Sequence, residues 1–171
     1  AGGFAATTSN GQVALYRPRE QHSEVLADGL DQLYGVAVAP GGAVVVAEFG
    51  AGRVLSIRPG KIEVLAAGLR DPLGVAIDPD GACLVSEAGA GRVLRLTGTG
   101  AETLLDGLQR PQGIALHRGV LHVVDAGARA LIALDLESGA RYTLAADLPV
   151  GAPPGVVPKR LRGLPPFSGP Q

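Results

Sequence analysis

A block of 39 residues occurs three times in succession in this chain, and this repeat restricts the fold more than any other feature. For example, Gly35, Gly74 and Gly113 follow one another at intervals of 39 residues. A fixed period of this size is typical of stacked supersecondary units, and four short strands per unit predict the blades of a β-propeller. The three copies are residues 24–62, 63–101 and 102–140.

Each copy divides into four strand-like runs separated by turn residues. In the second copy, apolar and β-branched runs cover residues 73–78, 82–87, 92–96 and 102–105, with Gly, Pro and Asp between them. Runs such as AVVVA are apolar almost throughout, as expected where neighbouring blades cover both faces of a sheet. The fourth runs carry charged residues, which suits an outer edge strand. We therefore predict an all-β propeller of four-stranded antiparallel blades.

Both flanks of the repeats are incomplete copies. Residues 4–18 align with residues 45–59 at an offset of 41, so we assign residues 1–23 to a partial first blade. The repeat pattern stops after Leu148. We expect about four blades, forming a partial or open ring of a propeller that closes with about six. The remainder of the propeller or a second copy of the chain is then the expected partner of the terminal blades.

The last residues differ in composition from the repeats. Residues 149–171 contain seven of the 13 prolines and the basic residues Lys159, Arg160 and Arg162, with no acid. Because proline cannot donate to a strand ladder, we predict a Pro-rich basic interblade insertion or tail beyond a propeller region at residues 1–148. Docking of a partner by this segment is the alternative.

Composition excludes several classes of function. The net charge of −1 gives no overall field that attracts nucleic acid or anionic lipid, and the absence of Trp removes stacking platforms for single strands. No apolar run approaches the ~18 residues of a membrane span. We predict neither a nucleic-acid partner nor a membrane span.

Cys83 is the only cysteine, so no intrachain disulfide can form. Its apolar strand context predicts a buried small hydrophobe rather than a reactive thiol. The chain contains no Met, and its first residues, AGGFAATT, fit either the start of a chain after a cleaved signal sequence or a cut point. The location therefore stays open, with a secreted or periplasmic location favoured.

The phrase PLGVAIDPDGACLVSEAGAGRVLRL, residues 72–96, resembles the NHL repeat. In that repeat a P-x-G strand leads to a D-x-x-G turn, an apolar strand ending in an acid, and an R-[VI] pair. The resemblance covers residues 24–148, and residues 4–18 more weakly. Similar blades occur in the SMP-30/gluconolactonase group and in virginiamycin B lyase-like proteins. The resemblance implies a β-propeller, but this fold alone does not determine function.

An acid closes the second strand of every copy: Glu48, Glu87 and Asp125. An arginine follows the first two after five residues and the third, as Arg129, after four. Three carboxylates at equivalent positions would suit a ring of metal ligands. The resemblance to NHL blades implies instead that the acid binds the turn backbone or the following arginine, and we predict this structural role.

The residue before the recurrent glycine differs between copies, and we predict that Tyr34, Leu73 and Gln112 contact a ligand at the mouth of the central channel. In calcium-dependent lactonases similar to SMP-30 this P-x-G position often carries a metal-binding Asn, and in the lyase-like group the mouth tends to offer His. This sequence departs from both patterns and lacks the hard oxygen ligand that calcium prefers. We therefore predict no metal and no other cofactor.

The remaining chemistry-bearing residues are three histidines. His117 and His122 fall on one hairpin, but no third ligand stands at the spacing of a zinc site, so we predict surface or core roles. His22 lies in a polar turn. The sequence has no G-x-S-x-G nucleophile elbow, and we predict no catalytic residue in this chain.

These observations support one main hypothesis of function. The chain is a non-catalytic NHL-like propeller module that binds a protein or a small ligand through its channel face and loops. The alternative is a fragment of an SMP-30/gluconolactonase-like or lyase-like metal-dependent hydrolase whose catalytic ligands lie mostly outside this chain. Only that alternative implies Ca²⁺ as a cofactor. A spacer module of a larger surface protein is the third hypothesis.

Overall fold

The computed structural model describes residues 3–98 and 100–150, which form four antiparallel sheets in chain order. Each sheet is one blade, and consecutive strands are neighbours within it, from the innermost strand to the outermost. The all-β propeller prediction is confirmed. No helix in the described part of the chain is long and apolar enough to cross a membrane.

Among the described residues the first blade has three strands and no innermost one. The other three blades have four strands each. Blade 1 contains β1 (Phe4–Thr7), β2 (Val13–Arg17) and β3 (His22–Ala27). Blade 2 contains β4 (Leu33–Val38), β5 (Val44–Glu48), β6 (Arg53–Arg58) and β7 (Lys61–Ala66). Blade 3 contains β8 (Pro72–Ile77), β9 (Cys83–Glu87), β10 (Arg92–Thr97) and β11 (Gly100–Leu105). Blade 4 contains β12 (Pro111–His117), β13 (Val120–Asp125), β14 (Ala130–Asp135) and β15 (Arg141–Ala145).

The strands of blade 3 agree with the predicted runs to within two residues. Ala82 falls outside β9 because its N–H donates to the Asp78 carboxylate at 2.9 Å, while its carbonyl accepts the Asp78 N–H at 3.0 Å. The aspartate thus closes the tight turn that the D-x-x-G pattern predicts. Of the predicted Pro-rich segment, residues 151–171 lie outside the described residues.

Apolar side chains between neighbouring blades form the core, in three clusters, one per blade interface. All five residues of β5 and of β9 are buried, because blades 2 and 3 have a neighbour on each face. In β13 buried residues alternate with half-buried ones, since only blade 3 covers blade 4 among the described residues. The apolar runs therefore report two-sided burial, as predicted.

Cys83 belongs to the cluster between blades 2 and 3 and is only 4% exposed. Burial raises the pKa of its thiol to about 12, and the nearby Asp78 carboxylate acts in the same direction. The thiol therefore stays protonated at neutral pH, which confirms the prediction of a buried small hydrophobe.

The recurrent glycine lies where the innermost strands of adjacent blades meet. A Cβ placed on Gly35 would lie 2.4 Å from the Leu73 carbonyl oxygen, and one on Gly74 would lie 2.4 Å from the Gln112 carbonyl oxygen. Gly113 has no atom within 4 Å of such a Cβ. The glycine is thus needed for contact with the next blade, and blade 4 has no such neighbour in the described part of the chain.

This difference makes a matched pair of substitutions informative. We expect Gly74→Ala to lower the free energy of unfolding by about 1–3 kcal/mol, because a rigid backbone oxygen occupies the space of the new methyl group. The control Gly113→Ala stands at the same repeat position and should change stability by less than about 0.5 kcal/mol. Chemical denaturation of both variants checks this. Equal losses would contradict the role of close strand approach.

Candidate functional site

A cleft lies at the end of the blades where the innermost strands β4, β8 and β12 begin. Its volume is about 360 Å³. It contains all three residues that the sequence marked, since Tyr34, Leu73 and Gln112 line it together. Phe49, Asp71, Arg110 and the three recurrent glycines complete the lining. We name this the channel-mouth cleft.

A β-bulge at the start of each innermost strand explains why these side chains reach the cleft. In blade 2, Leu33 pairs with Glu48 and Val36 with Val46, so two residues oppose the single Ala47. The same two-against-one arrangement recurs in blades 3 and 4. A bulge releases its residues from the ladder and redirects a side chain. The variable residue and the glycine after it are the two bulged residues in every blade.

In blade 3 the residue opposite the bulge is Ser86, and it joins two blades. Its hydroxyl accepts the Gly74 N–H at 2.8 Å and donates to the Gln112 carbonyl at 2.5 Å. Ser86 is fully buried. The bond from Gly74 satisfies a backbone N–H that the bulge leaves unpaired, and the bond to the Gln112 carbonyl ties the position of Gln112 to blade 3.

An aromatic pair forms one wall of the cleft. The rings of Tyr34 and Phe49 lie 5.3 Å apart at 56°, within the range of favourable tilted contacts. The Phe49 N–H donates to the Gln32 carbonyl at 2.9 Å, which fixes the turn that carries the ring. Tyr34 is nevertheless 55% exposed. Phe49 was not predicted from the sequence. Its position varies between copies, since Ala88 and Ala126 occupy it in the other two, and this variation was the available signal.

Two charged residues on the rim were also missed. Asp71 and Arg110 occupy the same position in consecutive copies, where the first copy has Gln32. The Asp71 carbonyl accepts the Ala88 N–H at 3.0 Å, and the Arg110 carbonyl accepts the Ala126 N–H at 3.0 Å. Both backbones are therefore clamped to a hairpin of their own blade, while their side chains are exposed. Variation between copies was the signal that could have identified them.

The acids at the ends of the second strands have the structural role that was predicted. Glu48 accepts the Asp31 N–H at 2.8 Å and bonds to the Arg53 guanidinium. Glu87 accepts the Arg70 N–H at 2.7 Å and the Arg92 Nε–H at 2.6 Å. Both carboxylates are nearly fully buried. Each one holds the loop that leads from the preceding blade into its own innermost strand.

Asp125 binds the equivalent loop before blade 4, but it does not pair with an arginine. Its two oxygens accept the N–H groups of Gln109 and Arg110, both at 2.8 Å. Ala130, not an arginine, is the cross-strand partner of Asp125. Arg129 has a φ of 53° and donates instead to the Leu148 carbonyl at 3.0 Å. The acid and its cross-strand partner are five residues apart in each of these three hairpins. Arg129 stands at the positive-φ turn position that Gly52 and Gly91 occupy in the other copies, so it does not pair with the acid.

His117 and His122 lie on the hairpin of β12 and β13 in blade 4. His117 is exposed and lies opposite Val120, and His122 is half-buried and lies opposite Ala115. Within residues 3–98 and 100–150, no three His, Cys, Asp or Glu side chains form a group suited to a metal ion. His22 is exposed at the start of β3.

Comparison with known proteins identifies the fold. No protein-family model matches the sequence, and no curated protein matches it. A chain of the nidogen/laminin complex is 20% identical with a TM-score of 0.72, over 85% of this chain and 59% of that one. Virginiamycin B lyase from Staphylococcus aureus is 15% identical with a TM-score of 0.69, over 85% and 55%. A streptogramin B lyase is 15% identical with a TM-score of 0.69, over 82% and 49%.

Likeness at these identities shows the β-propeller fold. This chain spans between about half and three fifths of the length of each of these proteins. The finer resemblance to NHL repeats and to SMP-30/gluconolactonase proteins stays a prediction.

The carboxylate of Asp125 leads to a prediction of pH dependence. Its burial opposes the charged form, but backbone N–H groups outweigh this and hold the pKa below its ordinary value; the donors belong to residues 109, 110, 127 and 128. The unfolded chain therefore binds the proton more tightly. The stabilisation by Asp125 should be complete above about pH 5 and lost as the pH falls through the folded pKa.

We expect Asp125→Asn to lower the free energy of unfolding by about 1–3 kcal/mol at pH 7, because the amide cannot accept both N–H groups. The difference from the unchanged protein should shrink when urea denaturation is repeated at low pH. Asp147→Asn is the control, since the Asp147 side chain is exposed. A difference independent of pH would contradict this account of Asp125.

Proposed function

We propose that this chain is a non-catalytic β-propeller module that binds a protein or a small ligand at the channel-mouth cleft. The observation that supports this most strongly is the meeting of Tyr34, Leu73 and Gln112, the variable residues of three copies, in one cleft. Ligand sites are commonly concave and largely apolar, with a few polar groups that set orientation. The cleft has this composition.

The lining suggests how a ligand is held. An apolar group of the ligand packs against Tyr34, Phe49 and Leu73, and its polar groups meet Gln112 and the charged rim. Burying one such group contributes roughly 1.5–3 kcal/mol. The bulges and buried carboxylates fix the cleft before binding, so little free energy is spent on ordering the site.

The neighbours support each hypothesis in a different way. A chain with this fold occurs in the nidogen/laminin complex, which supports a protein partner. Virginiamycin B lyase has the same fold, which supports the alternative of a fragment of an SMP-30/gluconolactonase-like or lyase-like enzyme. We favour binding because the Asn or His expected at the mouth in those enzymes is replaced by Tyr, Leu and Gln.

A pair of alanine variants at exposed apolar residues tests the binding site. Ligand-observed NMR with a library of small aromatic and aliphatic compounds should identify ligands that Tyr34→Ala binds at least about tenfold more weakly, since an aromatic wall is lost. Ile62→Ala is the control, because Ile62 on β7 is 50% exposed, lies outside the cleft and does not belong to a terminal blade.

Ligands that bind Tyr34→Ala and the unchanged protein equally would contradict the proposed site. A saturable rise in the melting temperature with Ca²⁺ would instead favour the hydrolase alternative, because a metal that binds only the folded state stabilises it by mass action.

The proposal includes a partner for the terminal blades, either the remainder of a propeller or a second copy of this chain. Blade 1 exposes Phe4, Tyr16 and Val25 by 65%, 43% and 55%. Blade 4 exposes Tyr142 and Leu144, each by 55%. Exposed apolar side chains at both ends of a stack are what missing neighbours would produce, although the outer strand of blade 2 also exposes Ile62 and Val64 by 50% and 52%.

We therefore expect the isolated chain to have a solution mass above the 17.2 kDa of one molecule, measured by light scattering after gel filtration. Tyr16→Asp should reduce this association, because a charge is costly to bury at an interface. Ile62→Asp is the control, since Ile62 is 50% exposed on the outer strand β7. A stable folded monomer would contradict the need for a partner.

A further inference from the structure

We propose that the channel-mouth cleft recognises a small aromatic zwitterion, a free α-amino acid or a close analogue with an aromatic ring, an ammonium group and a carboxylate. This inference rests on the proposed function, and it specifies the chemistry of the ligand.

The first argument is the order of the groups around the cleft. Blade 2 supplies the aromatic wall of Tyr34 and Phe49. The loop before blade 3 supplies the Asp71 carboxylate, and the loop before blade 4 supplies the Arg110 guanidinium. An apolar surface, a negative group and a positive group thus follow one another across three successive blades. An aromatic amino acid presents the three complementary groups on one short skeleton.

The second argument is that both rim charges are available to a ligand. Among residues 3–98 and 100–150, the side chains of Asp71 and Arg110 form no hydrogen bond or ion pair. Two arginines of blade 3 are engaged instead: Arg92 pairs with Glu87 at 2.6 Å, and Arg95 with Asp78 at 2.7 Å. Free charges on clamped backbones are suited to binding rather than to holding the blades.

The third argument is chemical selectivity. A guanidinium binds a carboxylate through two parallel hydrogen bonds, and the Gln112 amide adds further hydrogen-bonding capacity beside it. The Asp71 carboxylate accepts hydrogen bonds from an ammonium group. A ligand with one charge is attracted by one rim residue and repelled by the other, whereas a zwitterion satisfies both. A volume of about 360 Å³, near the lower end for ligand pockets, favours a small molecule.

Three probes that differ by one group each test the inference. L-phenylalanine carries both charges, L-phenylalaninamide lacks the carboxylate, and N-acetyl-L-phenylalanine lacks the ammonium group. In NMR titrations we expect L-phenylalanine to bind about tenfold more tightly than either analogue, because each analogue loses one charge-assisted contact.

Two substitutions assign each charge. Arg110→Gln should remove the tighter binding of L-phenylalanine relative to the amide, and it should not weaken binding of the amide, because the repulsion between its ammonium group and Arg110 is lost. Asp71→Asn should do the same with respect to N-acetyl-L-phenylalanine, and asparagine tolerates the φ of 54° at this position. The control is Arg70→Gln, because Arg70 is an exposed neighbouring arginine that does not line the cleft.

The outcomes separate this inference from the proposed function. Equal binding of the three probes, abolished in Tyr34→Ala, would overturn the zwitterion and keep the site. Binding of no probe would also overturn the zwitterion, and the broader ligand screen would then decide the function. Probe binding that Tyr34→Ala leaves unchanged would count against both.

Discussion

The close approach of innermost strands from neighbouring blades is the contact on which the rest of this structure depends. At Gly35 and Gly74 the backbone of the next blade occupies the space that a side chain would need. This contact allows the blades to stack face to face, so that β5 and β9 are buried on both sides. Apolar burial then supplies the main stabilisation, as in other stacked repeats.

Close stacking creates a second requirement, because each bulge and each interblade loop leaves backbone groups without ladder partners. Glu48, Glu87 and Asp125 accept the loop N–H groups, and Ser86 accepts the N–H of Gly74. Buried acceptors of this kind stabilise the connection between blades. Their second effect is to hold the rim of the channel-mouth cleft in a fixed geometry.

The division of labour between repeated and variable positions follows from this geometry. The recurrent glycines of blades 2 and 3 serve the contact with the next blade, and the recurrent acids hold the loops that join the blades. Residues that differ, such as Tyr34, Asp71 and Arg110, lie at the bulge or in the loop, where no blade contact dictates the side chain. The cleft is therefore the place where one repeated scaffold can acquire a specific chemistry.

Much of the fold could be predicted because period, strand pattern and turn residues all report local backbone geometry. The role of the acids and the burial of Cys83 followed from the same local signals. Phe49 and Arg110 also differ between copies, but their place in the cleft could not be predicted, since they reach it only through contacts between segments distant in the chain. The position of Arg129 in the turn, one residue before the cross-strand partner of Asp125, also depends on how the hairpin pairs.

The amino-acid sequence by itself thus determined the all-β architecture of four-stranded units and the three residues that vary before the recurrent glycine. These properties depend on the chemistry of neighbouring residues and on a repeated interval. Only the tertiary structure decided that the variable residues share one cleft with an aromatic pair and two free charges. The physical reason is that three separate bulges meet there only after the blades have packed against one another.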